Sequence, residues 1–501
     1  MASILLSLRP GWHWLAVMGL TVVAIILGVV SALQSYWLLV AIPIFAPLFL
    51  SVVWASPEPR KPPYVLLNIF FLFVLSVFIL WPRYGILPLG GIPLSPPRIL
   101  YSLLIVVWFA ALFWSANLAS QLMERVRKNA LPVLLLLGLL FWKFLSVFNS
   151  TDVVRSLYGF FTEAIVYFLM FPICLTLFRS VKDIERVLVV LLLAGLGTCL
   201  LGIYEGFTHH NVFLAHFPAM TEYMDFALSS KERGGGYRVQ STFAHPLLFA
   251  EFLVILLPIA VTFALDKRRL FKILGAIALG PILVAMYKTG SRAAIIGFAV
   301  VAFSAVVFFV LRYMKQRNYD LKSFVVLFVI LSVLVVSMAL VTGALFDIAL
   351  GRGIEARSTS VRLAIMTQGS HLLMSEPLLG FGVDQSAPEL DRIMAGGLVT
   401  QTVDNYYLSL ALDSGLPALL LYLSSFIYFV LLAIKLSLRH GREPSALAAG
   451  LALSLIGYAI IRLILSVPHS LSLLFAAFAM LIVLREEADA PSIIAKPEGG
   501  I

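Results

Sequence analysis

One feature recurs along this chain and governs what it can fold into: apolar runs of about twenty residues, long enough to cross roughly 30 Å of hydrocarbon. The stretch after Gly415, "LPALLLYLSSFIYFVLLAIKLSL", is one of them. In lipid no water satisfies backbone N–H and C=O groups, so each run must close its hydrogen bonds within itself as a helix. The alternating pattern of an outer-membrane barrel is absent. Charged residues make up 12% of the 501 positions and hydrophobic ones 61%, a balance that excludes a soluble domain. The expected fold is therefore all-α, a polytopic transmembrane helical bundle. About fourteen spans are expected, beginning near Trp12, Trp37, Val65, Leu100, Leu131, Leu157, Val187, Phe243, Phe271, Ala293, Phe324, Leu408, Ala446 and Leu471.

Lysine and arginine set the orientation. Arg60 and Lys61, Arg125, Arg127 and Lys128, Arg179, Lys182 and Arg186 fall in short loops on one side. Lys267, Arg268, Arg269 and Lys272, the group from Arg312 to Lys322, and Lys435, Arg439, Arg442 and Arg485 join them. By the positive-inside rule this side is cytoplasmic, and both termini are expected there. The first apolar run follows a lone Arg9 and is expected to remain as an anchor. Cys174 and Cys199 lie inside apolar runs and read as small buried hydrophobes. The chain divides into N-terminal spans over 1–205, a region over 206–485 with long outer segments at 206–242 and 346–403, and a short polar tail over 486–501.

The inner loops are all short and carry no Walker or dinucleotide motif, so any chemistry is expected outside. Four outer pieces stand out. In "RGGGYRVQSTFAHP", three glycines approach Tyr237 and Arg238, and Ser241, His245 and Pro246 lead into the eighth span. The reading there is an anion site with Arg238 held at the membrane surface. In "YKTGSR", Lys288 and Arg292 sit in a tight outer turn whose backbone N–H groups could cradle a phosphate. In "TSVRLAIMTQGSHLLMSEPLLGFG", Leu363, Met366, Ser370 and Leu373 align at helical spacing with Arg362 off that line. This pattern predicts a partly amphipathic interfacial helix, ended by Pro377, Gly380 and Gly382. In "TQTVDNYYLSLALDSG", Asp404 and Asn405 open the twelfth span, where one reading is a helix cap. Glu205, at the outer end of the seventh span, is the competing carboxylate. Arginines suit bidentate recognition of phosphate oxygens, and no metal-ligand spacing accompanies them. His209, His210 and His216 fit no common metal site.

These pieces, in this order, resemble the O-antigen ligase and polymerase superfamily of bacterial envelope glycosyltransferases. The elements that carry the resemblance are "RVQSTFAHP", "TGSR", an arginine followed by "SEPLLGFG", and "DNYYLSLALDSGLPALLLYL", covering roughly Tyr204 to Tyr422. The resemblance implies an enzyme in the bacterial inner membrane whose active site faces the periplasm. It would be metal-independent, use no cofactor and no nucleic acid, and take a glycan from a polyprenyl-diphosphate carrier. Membrane lipids and a chain-length regulator protein are the further partners it suggests. Asp404, Glu205 and Asn405 then become the expected catalytic residues. Arg238, Arg292, Arg362, Tyr237, His245 and Lys288 become the expected diphosphate and substrate contacts. One departure matters: ligases of this superfamily usually carry His-Asn where this chain has Asp404-Asn405. The first expectation is therefore a polymerase joining lipid-linked repeats, ahead of a ligase that passes the glycan to lipid A-core. A transporter is the alternative of another class. It would concentrate polar residues near the bilayer midplane, where this sequence has few, Glu163, Glu251 and Arg462 among them.

Overall fold

A computed structural model describes residues 64–81, 87–89, 92–94, 96–212, 232–233, 236–316, 354–394, 403–439, 444–468 and 470–490. The spans expected near Trp12, Trp37 and Phe324 lie outside the described residues. The other expected spans coincide with helices. These are α1 (Tyr64–Leu80), α2 (Pro96–Trp114), α4 (Ala130–Val147), a composite of α5 (Val153–Glu163) and α6 (Met170–Leu177), and α7 (Val181–Thr208). They continue as α8 (Pro246–Ala264), α9 (Arg269–Lys288), α10 (Arg292–Gln316), α13 (Tyr406–Ser437), α14 (Pro444–Ile461) and α15 (Leu471–Asp489). Nine helices among the described residues are long and apolar enough to cross a membrane, and the protein is an all-α polytopic membrane protein. Helix α3 (Ala116–Lys128) is polar and amphipathic instead, with Arg125 capping the carbonyls of Leu175 and Phe178 at 2.6 Å each. Two small ribbons complete the description: Leu87–Leu89 with Ile92–Leu94 (β1, β2), and Glu232–Arg233 with Gly236–Tyr237 (β3, β4).

Helix α8 is the hub. It is apolar all round, which suits a helix enclosed by others, and its face-to-face neighbours are α9, α14, α10 and α7. His245 caps its start by accepting the Leu247 amide at 3.0 Å, and Pro246 follows at a position where no amide is needed. Helix α7 carries a capping box of Ser180 and Asp183. Its 28 residues rise about 42 Å, enough to lift Glu205 clear of the hydrocarbon. A single π turn, Ala164–Phe168, joins α5 to α6. Just before it, Glu163 pairs with the buried Lys143 of α4, so two charges inside the bundle neutralise each other. Both cysteines are buried and free.

The segment before α13 holds α11 (Ile354–Ser375) and α12 (Ser386–Ile393). Helix α11 divides the expected apolar line. Leu363 and Met366 are 67% and 52% exposed, whereas Ile365 and Leu372 are buried with Leu373 in a small core shared with Leu390, Val403, Ala411 and Leu412. Two apolar lines run along this helix at equally regular spacing. Contact with α13, where Gly369 meets Leu408, selects the second.

Candidate active site

The site grows from the end of α7. Glu205 is buried there, and its carboxylate accepts the Ser241 amide at 2.7 Å, the Asn211 amide group at 3.0 Å and the Tyr237 hydroxyl at 3.1 Å. A buried carboxylate is tolerated when donors surround it in this way. Burial, with the Glu205 charge adding to it, pushes the Tyr237 phenol above its ordinary range, so it stays a neutral donor. Its ring stacks on His209, with centroids 4.8 Å apart. Ser241 donates from Oγ to Thr198 O, and Thr242 to Ile79 O. Glu205 thus organises the loop that carries Arg238. Asn211, which the sequence reading passed over, ties that loop back on itself through Ser241 O.

Arg238 is buried and meets the "TGSR" turn directly. Its Nε donates to Thr289 O at 3.1 Å, and the Val239 amide donates to Lys288 O at 3.1 Å. Gly290 has φ 58°, and a Cβ there would stand 3.1 Å from Arg238 Cγ, so the turn needs glycine both for its backbone and for this packing. The turn does not offer the expected backbone cradle. The amides of Thr289 and Gly290 bond to Ala285 O and Tyr287 O, and that of Ser291 to Thr289 Oγ1. Arg292 opens α10 two residues from Gly290, and Lys288 Nζ lies 4.8 Å above the Phe207 ring. His245 uses Nδ1 as the α8 cap.

The second half of the site lies at the start of α13. Asn405, not Asp404, is the helix cap: its Oδ1 accepts the amides of Tyr407 at 3.0 Å and Leu408 at 3.2 Å. This leaves the Asp404 carboxylate for another task. Asp404 sits at φ 52° and pairs with Arg362, Nε to Oδ2 at 3.2 Å, both side chains about a third exposed. The acid therefore stands beside Arg362, one of the three expected arginines.

Gly415 breaks α13 with φ 78° and ψ 172°, a combination open to glycine alone. Pro417 follows with no amide to give, so carbonyls of the first half-helix lose their intrahelical partners. The "SEPLLGFG" loop takes them: Phe381 N donates to Leu412 O at 2.8 Å and Gly382 N to Asp413 O at 2.9 Å. In return Pro377 O accepts the Leu416 amide, and the buried Asp413 carboxylate accepts the amides of Gln385 and Ser386 at the start of α12. The strings "SEPLLGFG" and "DNYYLSLALDSG" are thus one hydrogen-bonded unit.

Arg462 joins the two halves. It is wholly buried, as is its partner Glu251 of α8, at 2.9 Å. Glu251 also accepts the Ser470 hydroxyl at 2.7 Å. The Arg462 guanidinium lies 4.8 Å from the Tyr458 ring centroid and 5.2 Å from that of Tyr406, and its carbonyl accepts the Tyr406 amide at 2.9 Å. The only sequence signal for this pair was an opposite-charge couple within or near spans. Within the bundle, among α1, α2, α5, α7, α8, α14 and α15, lies a cavity of about 480 Å³. It is walled mostly by apolar side chains, including Phe78, Leu191, Ile165 and Leu455, with Arg98 and Tyr101 among its few polar ones.

The family described as O-antigen ligase matches residues 277–423, from within α9 across the "TGSR" turn, Arg362 and Asp404 to the second half of α13. No curated protein matches the chain.

Proposed function

We propose that this chain, which belongs with the O-antigen ligase and polymerase superfamily by its match over 277–423, is a polysaccharide polymerase. It transfers a glycan from a polyprenyl-diphosphate carrier onto a second lipid-linked repeat, at the periplasmic face of the inner membrane. The reading rests on two features, the cations Arg238, Lys288 and Arg292 around one turn, and the Asp404–Arg362 pair at the start of α13, about a third exposed. A mostly apolar cavity within the bundle suits a donor with a long hydrocarbon tail.

In this mechanism the acceptor hydroxyl oxygen attacks the anomeric carbon of the donor sugar. The bond from that carbon to the carrier's phosphate oxygen breaks, and the electron pair leaves on the diphosphate. Arg238, Arg292 and Arg362 stabilise that growing negative charge, more effectively for being preorganised. Asp404 accepts the hydroxyl proton as general base. Its ion pair with Arg362 is partly solvated, so separating it costs only about 1 kcal/mol or less. Arg362 can therefore turn to the arriving diphosphate and release the carboxylate for the acceptor. Tyr237 and His245 border the same loop and complete the substrate contacts.

The family description favours a second reading, a ligase with lipid A-core as acceptor. The acid at Asp404, where such ligases usually carry histidine, favours the polymerase. Incubation of the purified protein with a defined polyprenyl-diphosphate repeat decides between them. A ladder of lengthening glycans is the expected product. Transfer only in the presence of lipid A-core would establish the ligase, and equilibration across vesicles without a new bond would establish a transporter. Reporter fusions after Lys315 and after Ala395 test the orientation, with cytoplasm and periplasm the respective expectations.

A further inference from the structure

At the end of the bundle opposite the candidate site, α13 and α15 come together over a pocket of about 270 Å³. One stripe of α13 lines it. Tyr428, Leu431 and Leu432 come first, then Lys435 and Arg439 one and two turns further on; α15 adds Arg485 and Asp489. The stripe passes from apolar to cationic along the helix axis, as the surroundings of a lipid do from acyl chain to headgroup.

The charges are unbalanced. Among the described residues that line it, three cations face one carboxylate, Asp489, which Arg439 already holds at 2.6 Å. Arg485 spends its hydrogen bonds on neutral partners, the Tyr428 hydroxyl at 3.0 Å and Asn129 Oδ1. Lys435 is exposed at the rim. A half-buried guanidinium bound to neutral groups, beside an exposed ammonium, draws an anion. Basic pockets between helices on the cytoplasmic side suit phospholipid phosphates, and the basic loops assign this end to that side. We propose that this pocket binds the phosphate headgroup of an anionic phospholipid of the inner leaflet, with an acyl chain along Tyr428, Leu431 and Leu432. The site is independent of the reading given to Asp404.

The test uses the full chain, purified in detergent and stripped of lipid. Phosphatidylglycerol, phosphatidylcholine and inorganic phosphate are added separately, and thermal unfolding and lipid retention by native mass spectrometry are followed. Phosphatidylglycerol is expected to be retained and to raise the unfolding temperature, with phosphatidylcholine and phosphate far weaker. Lys435→Gln should weaken phosphatidylglycerol binding about fivefold, the effect of one basic residue at an anionic surface. Arg439→Gln should weaken it further, because it also leaves Asp489 unopposed. Both side chains reach solvent, so the lipid-free variants should unfold as the parent does. Equal retention of the two phospholipids would overturn the proposal. So would phosphate alone matching phosphatidylglycerol, or parental binding in both variants.

Discussion

Arg462 and Glu251 meet at 2.9 Å with neither side chain exposed, and the carbonyl of the same arginine receives the Tyr406 amide. One buried pair therefore fixes α8 against the end of α14, and the Arg462 carbonyl ties both to the start of α13, where Asp404 lies. Breaking it by removing one partner leaves a buried charge uncompensated, at a cost of about 3–5 kcal/mol. Glu251→Gln and Arg462→Gln are each expected to lower the unfolding temperature sharply. The double variant Glu251→Leu with Arg462→Met should be milder than either. Thermal unfolding in detergent checks this, and neutral single variants would show that packing alone holds the three helices.

Asp404→Asn keeps the size of the side chain and an acceptor for Arg362, but not the base. Polymer formation is expected to fall by about 10²-fold or more, the range for a lost general base, with binding of the lipid-linked donor retained. Normal polymerisation would reduce Asp404 to a partner that merely holds Arg362. Loss of donor binding as well would move its role from chemistry to structure.

Arg238, Arg292 and Arg362 are each expected to fail as lysine. A lysine keeps the charge but lacks the planar fork that meets two phosphate oxygens at once. At position 238 it also loses the Nε bond to Thr289 O. Polymer yield and donor affinity, measured for the three Arg→Lys variants, decide the matter; near-parental values in all three would remove the diphosphate assignment.

Glu205→Gln separates the two carboxylates. Three donors converge on Glu205, and an amide in its place turns one acceptor into a donor facing donors. A destabilisation of about 1–3 kcal/mol is expected, read as a lower unfolding temperature with activity falling in step. If activity collapses while unfolding is unchanged, the base is Glu205 and not Asp404.

Gly415→Ala should detach the "SEPLLGFG" loop. An added Cβ would stand 2.0 Å from Leu378 O, at a backbone φ of 78°. The conformational cost alone is about 1–3 kcal/mol, and the overlap adds to it. Protease cleavage between Leu378 and Asp384, absent in the parent, is the expected outcome; a loop that remains protected would show that the break tolerates a side chain.

The sequence by itself determined the class of molecule and the position of its helices. Apolar runs such as Pro246–Ala264 have one outcome in lipid, because only a helix satisfies their backbone groups locally. It also determined that arginines and a carboxylate gather at one end, since charge excludes Arg238, Arg292, Arg362 and Asp404 from the hydrocarbon. Only the tertiary structure decided who meets whom. Asp404 and Asn405 are neighbours with the same capping chemistry, and the chain could not say which would cap and which would remain for Arg362. Helix α11 carried two equal apolar lines, and contact with α13 chose between them. Glu205 read as a competing carboxylate at the end of its span until Asn211, and Tyr237 and Ser241 from further along the chain, closed around it. Local periodicity and solvation act over a few residues and can be read from the string. Pairing among polar groups depends on which loops fold back over which helix ends, and that is fixed only by packing of the whole bundle.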